Sequence, residues 1–224
     1  MKIVSYSLFE NHPRYCVNAC INSDLCAKYY PNWECRIYYD NSVPSKVINE
    51  LTKKTNTRLI HNTKTIGKEH ARRMWRFFAY DDCSVFLSRD IDSYITEREA
   101  SAVSEWINSD KNLHIIRDHP HHTNKIQAGM FGIKKTNSLL NMKSMCNSFI
   151  TTSNNYYSMD EKFLSNNIYP LFDKDMVVHD DTNIMNDKTH EWKSPILDGQ
   201  CVGLAQYPAS IHQDLFSYYE RLIR

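Results

Sequence analysis

Short apolar runs alternate with longer stretches of helical periodicity along the chain. Residues 2–7 are rich in β-branched and aromatic side chains and give way to polar positions, so they read as a first buried strand. Asn11 caps a helix with Pro13 in its first turn, running to about residue 30 with Val17, Ile21 and Leu25 on one side. Strands follow at 36–39 and 57–60, and a helix at 44–54 between them turns Val47, Ile48 and Leu51 inward. A helix over 68–80 carries Ala71, Met74, Trp75 and Phe78 at helical spacing. The fourth strand covers 85–88. Thr96 and Glu99 then form a capping box for a helix through 107, with Ala100, Val103 and Trp106 toward the core. Strands at 113–116, 130–133 and 176–178, helices over 138–149 and 159–168, and a short helix near 214–222 complete the pattern. Strands alternating with helices predict an α/β fold, a mostly parallel sheet flanked by helices on both faces, in a single domain over residues 1–224.

Composition narrows what such a sheet could serve. With 27 basic and 26 acidic side chains the formal net charge is +1, without the basic excess of a duplex nucleic-acid binder. The seven cysteines follow no zinc-finger or zinc-ribbon spacing. Cys16 and Cys20 lie one turn apart on the first helix, which admits a metal site, but buried thiols in a reducing compartment are the simpler reading. The apolar run after Lys2 is broken by Glu10, unlike a secretory leader, and no apolar stretch is long enough to span a bilayer. The expectation is a cytoplasmic protein. No Gly-x-Gly-x-x-Gly follows the first strand and no Walker loop is present, which argues against dinucleotide and P-loop enzymes.

In open α/β sheets, ligands sit beyond the carboxyl ends of the strands. That rule draws together residues 7–9, 40–41, 89–92 and 117–122. The strongest local pattern there is Phe86-Leu87-Ser88-Arg89-Asp90-Ile91-Asp92. Two carboxylates one residue apart at a strand end can share one hard cation, Mg²⁺ or Mn²⁺, leaving positions open for diphosphate oxygens. A solvated acidic turn is the other reading. His119, His121 and His122 invite a zinc reading, but Pro120 and the tight spacing suit a substrate-facing loop better.

The acidic pair belongs to a wider set of motifs. Met74-Trp75-Arg76-Phe77, Ser88-Arg89-Asp90-Ile91-Asp92-Ser93, Arg98-Glu99, Glu105-Trp106, Ile116-Arg117-Asp118-His119-Pro120 and Gly129-Met130-Phe131-Gly132 recur in order. Asp160-Glu161-Lys162-Phe163-Leu164, Ile168-Tyr169-Pro170 and Val178-His179-Asp180 continue the series. From Met74 to Asp180 the chain resembles a family of small GT-A-type glycosyltransferases of bacteria and large DNA viruses, and the N-terminal strands resemble it more loosely. The resemblance implies a GT-A fold with a Rossmann-like sheet and a nucleotide-sugar donor, most often a UDP-sugar. It also implies a Mn²⁺ or Mg²⁺ ion and a hydroxyl acceptor on a glycan, with host cytoplasm as the location if the source is viral.

Carried over residue by residue, the resemblance makes Asp90 a contact to ribose and metal and Asp92 the firmest metal ligand, with His179 completing the metal site. Gln127, Ala128 and Gly129 resemble the small-residue turn on which the donor sugar lies, although the family prefers two glycines where this chain has Ala128. Asp160 stands where related enzymes bind sugar hydroxyls or deprotonate the acceptor, and Glu161 is the second choice as that base. Arg76, on a helix face shared with Arg72 and Arg73, matches a family arginine and could meet the diphosphate. Arg117 and Asp118 could hold donor hydroxyls. By position alone, Ser7 and Leu8 would flank the nucleoside and Asp40 would accept the uracil imide proton. A sugar nucleotidyltransferase and a non-catalytic nucleotide- or glycan-binding module are the alternatives. The first would want a Gly-rich loop after strand one, where this chain has Ser7-Leu8-Phe9-Glu10, and the second a degenerate acidic pair.

Overall fold

A computed structural model describes residues 1–62, 69–135, 140–154, 156–182, 184–185, 187–196, 201–206 and 212–224. The apolar run after Met1 forms β1 (Lys2–Leu8), buried at every position after the first. It joins β2 (Glu34–Tyr39), β3 (Thr57–His61), β4 (Val85–Arg89), β5 (Leu113–Arg117), β6 (Met130–Lys134) and β7 (Met176–Asp180) in one sheet of order β3-β2-β1-β4-β6-β5-β7. Every pairing is parallel except those of β6, which runs antiparallel to both β4 and β5. The segment between β5 and β6 contains no helix, and only an antiparallel neighbour can be reached without a crossover.

The helices are α1 (Pro13–Tyr29), α2 (Ser45–Leu51), α3 (Glu97–Ile107), α4 (Met142–Thr152), α5 (Met159–Phe163) and α6 (Gln213–Ile223). His12, not Asn11, caps α1: its Nδ1 accepts from the Arg14 amide at 3.1 Å. Thr96 caps α3 as expected, its Oγ1 accepting from Glu99 N at 3.1 Å. The Glu99 carboxylate does not close the box, because it accepts from Arg89 Nε at 2.7 Å and Tyr30 OH at 2.8 Å.

The helix expected over 68–80 is a 3₁₀ run, Glu69–Asp82. Part of the reason is the Ser7 hydroxyl, which donates to Arg73 O at 3.3 Å and accepts from Arg76 N at 3.0 Å, diverting that amide from an α-helical ladder. The helix expected over 159–168 changes pitch as well. α5 passes into a π-helical turn, Leu164–Ile168, and then a 3₁₀ turn, Tyr169–Phe172, in which Pro170 lacks a donor. Residue 68 and residues 138–139, also expected to be helical, lie outside the described residues.

Two apolar layers sandwich the sheet. Phe77, Phe86, Phe131 and Phe163 form one with the 3₁₀ run, α4 and α5; Val4, Tyr6, Ile21, Leu87 and Trp106 form the other with α1, α2, α3 and α6. Each such side chain contributes roughly 1.5–3 kcal/mol when fully buried. All seven cysteines are free thiols, and burial pushes Cys16 up to about 11 and Cys20 up to about 12, as for thiols packed in an apolar layer. Among the described residues no helix is long and apolar enough to cross a membrane.

Candidate active site

The end of β4 is locked before the acidic pair begins. Arg89 is 1% exposed; its Nε meets Glu99 Oε1 at 2.7 Å and its Nη1 donates to Phe131 O at 3.0 Å. The chain then turns, with Ser93 N donating to Asp90 O at 3.2 Å, and both carboxylates emerge at the carboxyl edge of the sheet.

One face of α1 grips this turn. Arg14, Asn18 and Asn22 are four residues apart, hence stacked on one side of the helix. Asn22 Nδ2 donates to Ile91 O at 2.9 Å and Ser93 O at 3.0 Å, and Asn18 Nδ2 donates to Gln206 O at 2.8 Å. Arg14 reaches Asp92 Oδ2 with Nε at 2.7 Å and Nη2 at 2.5 Å. The C-terminal segment closes the turn from the other side: Gln206 N donates to Asp92 O at 2.7 Å, and Ala205 bridges Ser93.

The two carboxylates open on a cavity of about 350 Å³ lined by Ser7, Phe9, Arg14, Tyr15, Arg73, Arg76, Tyr157 and Gly203 among others. The Asp90 side chain is 44% exposed, with Oδ1 2.5 Å from Arg76 Nη1. Arg76 is buried, and its Nη2 meets Asp160 Oδ2 at 3.2 Å, so one guanidinium ties two carboxylates together. Burial alone would lower Arg76, but Asp90 and Asp160 hold its charge above the ordinary range. The Asp92 side chain is 15% exposed, and its carboxyl is raised by burial first and by Asp90 next, with Arg14 pulling the other way.

Gly129 earns its place through Asp90. A Cβ at 129 would lie 1.9 Å from Asp90 Oδ2, so the absence of a side chain is what lets that carboxylate sit against the β6 entry. Ala128 O accepts from Ser88 Oγ at 2.6 Å, which fixes the same turn to β4. Gln127 is buried, and with its amide nitrogen toward α5 it donates to Glu161 Oε1 at 3.2 Å. Burial first, then Asp160 and Asp90, push the Glu161 carboxyl up to about 7. Burial also raises Asp160, against the opposing pull of Arg76.

Other expected site residues are engaged elsewhere. Leu8 is fully buried in the layer beneath α1, so its side chain faces no ligand, and Phe9 lines the cavity instead. Asp40 accepts from Ser42 N at 2.9 Å and from Arg72 Nη1 at 3.4 Å, and reaches the cavity wall only through Arg72, whose guanidinium lies 4.5 Å over Phe9. Arg117 is fully buried against Asp180 at 2.7 Å and Asp187 at 2.6 Å. Asp118 is committed to Arg98 at 2.8 Å and to Val202 N at 2.8 Å. Both are buried, and neither lines the cavity onto which Asp90 and Asp92 open.

His179 is the plainest departure. It is fully buried on the sheet face under α3, with Nδ1 3.0 Å from His114 Nε2, Nε2 3.7 Å from Glu105 and Trp192 packed at 5.0 Å. None of these contacts belongs to the acidic turn, so the structure does not bring His179 to Asp90 and Asp92. The His119–His122 segment is a turn in which the His122 ring accepts from Asp118 N at 3.2 Å and His119 N at 3.3 Å.

Among the described residues no group of three or more His, Cys, Asp or Glu side chains is arranged to hold a metal ion. The acidic pair still fits a hard cation. Two carboxylates that open on one cavity, with the Asp90 side chain 44% exposed, are oxygen donors of the kind such a cation takes.

No protein-family model matches the chain, and no curated protein matches it in sequence. Solved structures do. The glycosyltransferase GlyE of Streptococcus pneumoniae TIGR4 aligns at a TM-score of 0.52 with 15% identity, covering 80% of this chain and 45% of that one. The mannosyltransferase PcManGT of Pyrobaculum calidifontis, in complex with GDP-Man and Mn²⁺, aligns at 0.51 with 11% identity, covering 81% and 55%. Residues 1–349 of S. aureus TarS align at 0.50 with 13% identity, covering 81% and 58%. The chain thus spans about half the length of these three. The sheet order with its single reversed strand, together with this likeness, makes the fold that of the GT-A glycosyltransferases.

Proposed function

We propose that the chain transfers a sugar from a nucleoside-diphosphate sugar, a UDP-sugar by the sequence resemblance, to a hydroxyl of a glycan acceptor. The observation that carries this reading is the pair Asp90 and Asp92, set at the edge of a polar cavity with Arg14, Arg73 and Arg76 in its wall. Carboxylates beside three guanidiniums suit a dication and a diphosphate together. A nucleotidyltransferase is less well served, because the end of β1 and the residues after it offer Ser7, Phe9 and Glu10 to the cavity rather than a Gly-rich phosphate cradle.

Mn²⁺ or Mg²⁺ held by Asp90 and Asp92 would supply Lewis-acid stabilisation of the charge on the departing diphosphate. The chain's own residues do the remaining work by positioning. Arg76 holds Asp90 and Asp160 in fixed relation, and Gly129 leaves Asp90 the space it occupies. Glu161, next in sequence to Asp160 and bonded to Gln127 of the turn that carries Gly129, is the candidate base for the acceptor hydroxyl, and burial raises its carboxyl to about 7. Asp160, bound to Arg76, is better suited to sugar hydroxyls.

Thermal-shift titration with UDP, GDP and their sugars, with and without Mn²⁺, tests the assignment. The expected result is a nucleotide-dependent rise in melting temperature that needs the metal and disappears in Asp92→Asn. A chain that responds to no nucleotide, or an Asp92→Asn variant that responds like the wild type, sinks it.

A further inference from the structure

The two carboxylates are held by arginines of very different freedom. Arg76 is 4% exposed and pinned between Asp90 and Asp160. Arg14 has a side chain 37% exposed, stands in the first turn of α1, and places both Nε and Nη2 on one oxygen, Asp92 Oδ2. Its backbone is fixed by the helix, which Asn22 binds to the acidic turn and Asn18 to Gln206, so only the side chain has to move. A divalent cation shared by Asp90 and Asp92 must approach the Asp92 oxygens, where a guanidinium already sits and repels it.

We infer that Arg14 and the divalent cation exchange on Asp92, and that the displaced guanidinium then pairs with the diphosphate of the donor. The inference rests on the proposed function and adds an order to it. Without nucleotide, the cation has to break the Arg14–Asp92 pair and leave an arginine facing a dication. With nucleotide, the same arginine finds phosphate oxygens on the cavity wall it already lines. Nucleotide therefore strengthens metal binding, and by reciprocity the metal strengthens nucleotide binding by the same factor.

Calorimetric binding of Mn²⁺ alone, and of UDP with and without Mn²⁺, tests this on the full chain in wild type, Arg14→Gln, Arg14→Lys and Arg73→Gln. Comparison between variants cancels the association of Mn²⁺ with UDP in solution. Arg14→Gln should bind Mn²⁺ alone roughly tenfold tighter than wild type and lose most of the enhancement that Mn²⁺ gives to UDP, a change within the usual range of couplings. Arg14→Lys, which keeps the charge but not the fork, should fall between. Arg73→Gln removes a charge from the same wall, where Arg73 Nη1 donates to Tyr157 O at 2.8 Å rather than to Asp92; it should weaken UDP binding with and without Mn²⁺ alike and so leave the coupling, the ratio of the two, near the wild-type value. The exchange is overturned if Arg14→Gln matches wild type, or if Arg73→Gln tightens Mn²⁺ equally, which would reduce the effect to the general field. In both of those cases the wild type still binds metal and UDP and the proposed function stands. A wild type that binds neither removes that function and this inference together.

Discussion

Two clusters of arginine and carboxylate stand at the carboxyl edge of the same sheet, and they are built to opposite ends. At β5 and β7, Arg117 is fully buried between Asp180 and Asp187, and Arg98 gathers Asp118 and Asp181. Burial pushes the Asp180 carboxyl up, but bonds from Thr182 and Arg117 outweigh it and leave that group below its ordinary range. At β4, Asp92 has one partly exposed arginine, Arg14, and burial followed by the like charge of Asp90 leaves its carboxyl above the ordinary range. Around Arg117 the first cluster is buried and closes the end of the sheet, while at its rim burial and Asp118 raise the Asp181 carboxyl. The second sets Asp90 and Asp92 at a cavity that Arg14, Arg73 and Arg76 also line, with the Asp90 side chain 44% exposed. Residue types alone do not separate the two; the balance of partners does.

Breaking the buried cluster should cost the most. Arg117→Met leaves Asp180 and Asp187 without their guanidinium and should lower unfolding free energy by about 3–5 kcal/mol in urea denaturation. A loss below about 1 kcal/mol would mean the cluster is not scaffold. In the open cluster the effect should fall on binding more than on stability. Gly129→Ala places a methyl 1.9 Å from Asp90 Oδ2, so the carboxylate must shift. The expected cost is about 1–3 kcal/mol of stability, together with loss of the metal-dependent UDP shift. An unchanged UDP response would place the cation away from Asp90.

The smallest effect is a matter of pH. The Glu161 carboxyl is raised from 4.5 to about 7 in the folded chain, so between those values the folded state binds more protons than the unfolded state. Its contribution to stability therefore falls as pH rises through that window. Glu161→Gln should become progressively more stable relative to wild type from pH 4.5 to 7, and should lose the rise in turnover centred near 7. Parallel pH–stability curves for the two chains would remove the basis for naming Glu161 the base.

Much of the sheet was readable because buried strands announce themselves by short apolar runs, as at β1, β4 and β7. The reversal of β6 was not, since strand direction depends on whether the connection crosses over, and the segment between β5 and β6 has no periodic signature. The pitch of residues 69–82 escaped because the apolar spacing of Ala71, Met74, Trp75 and Phe78 does not report a hydroxyl from Ser7 reaching two backbone groups. At the site, the acidic turn was legible from its place after an apolar strand. Arg14 was missed, although a signal existed: Arg14, Asn18 and Asn22 form a polar row beside the apolar row of Val17, Ile21 and Leu25. Arg117 and Asp118 were expected at the donor and His179 at the metal, and all three stand at strand ends. A strand end fixes position but not the direction of the side chain, and His179 points to the face under α3.

The bridge between Ser93 and Ala205, with Gln206 bonded to Asp92, joins positions more than a hundred residues apart. Loop closure over that distance is entropically costly and comes late. During synthesis the acidic turn leaves the ribosome long before the segment that braces it, so β1 to β4 can pair while the turn still lacks one of its two walls. The site is therefore completed only once residues 205 and 206 are in place, and a chain clipped before them holds the carboxylates without that brace.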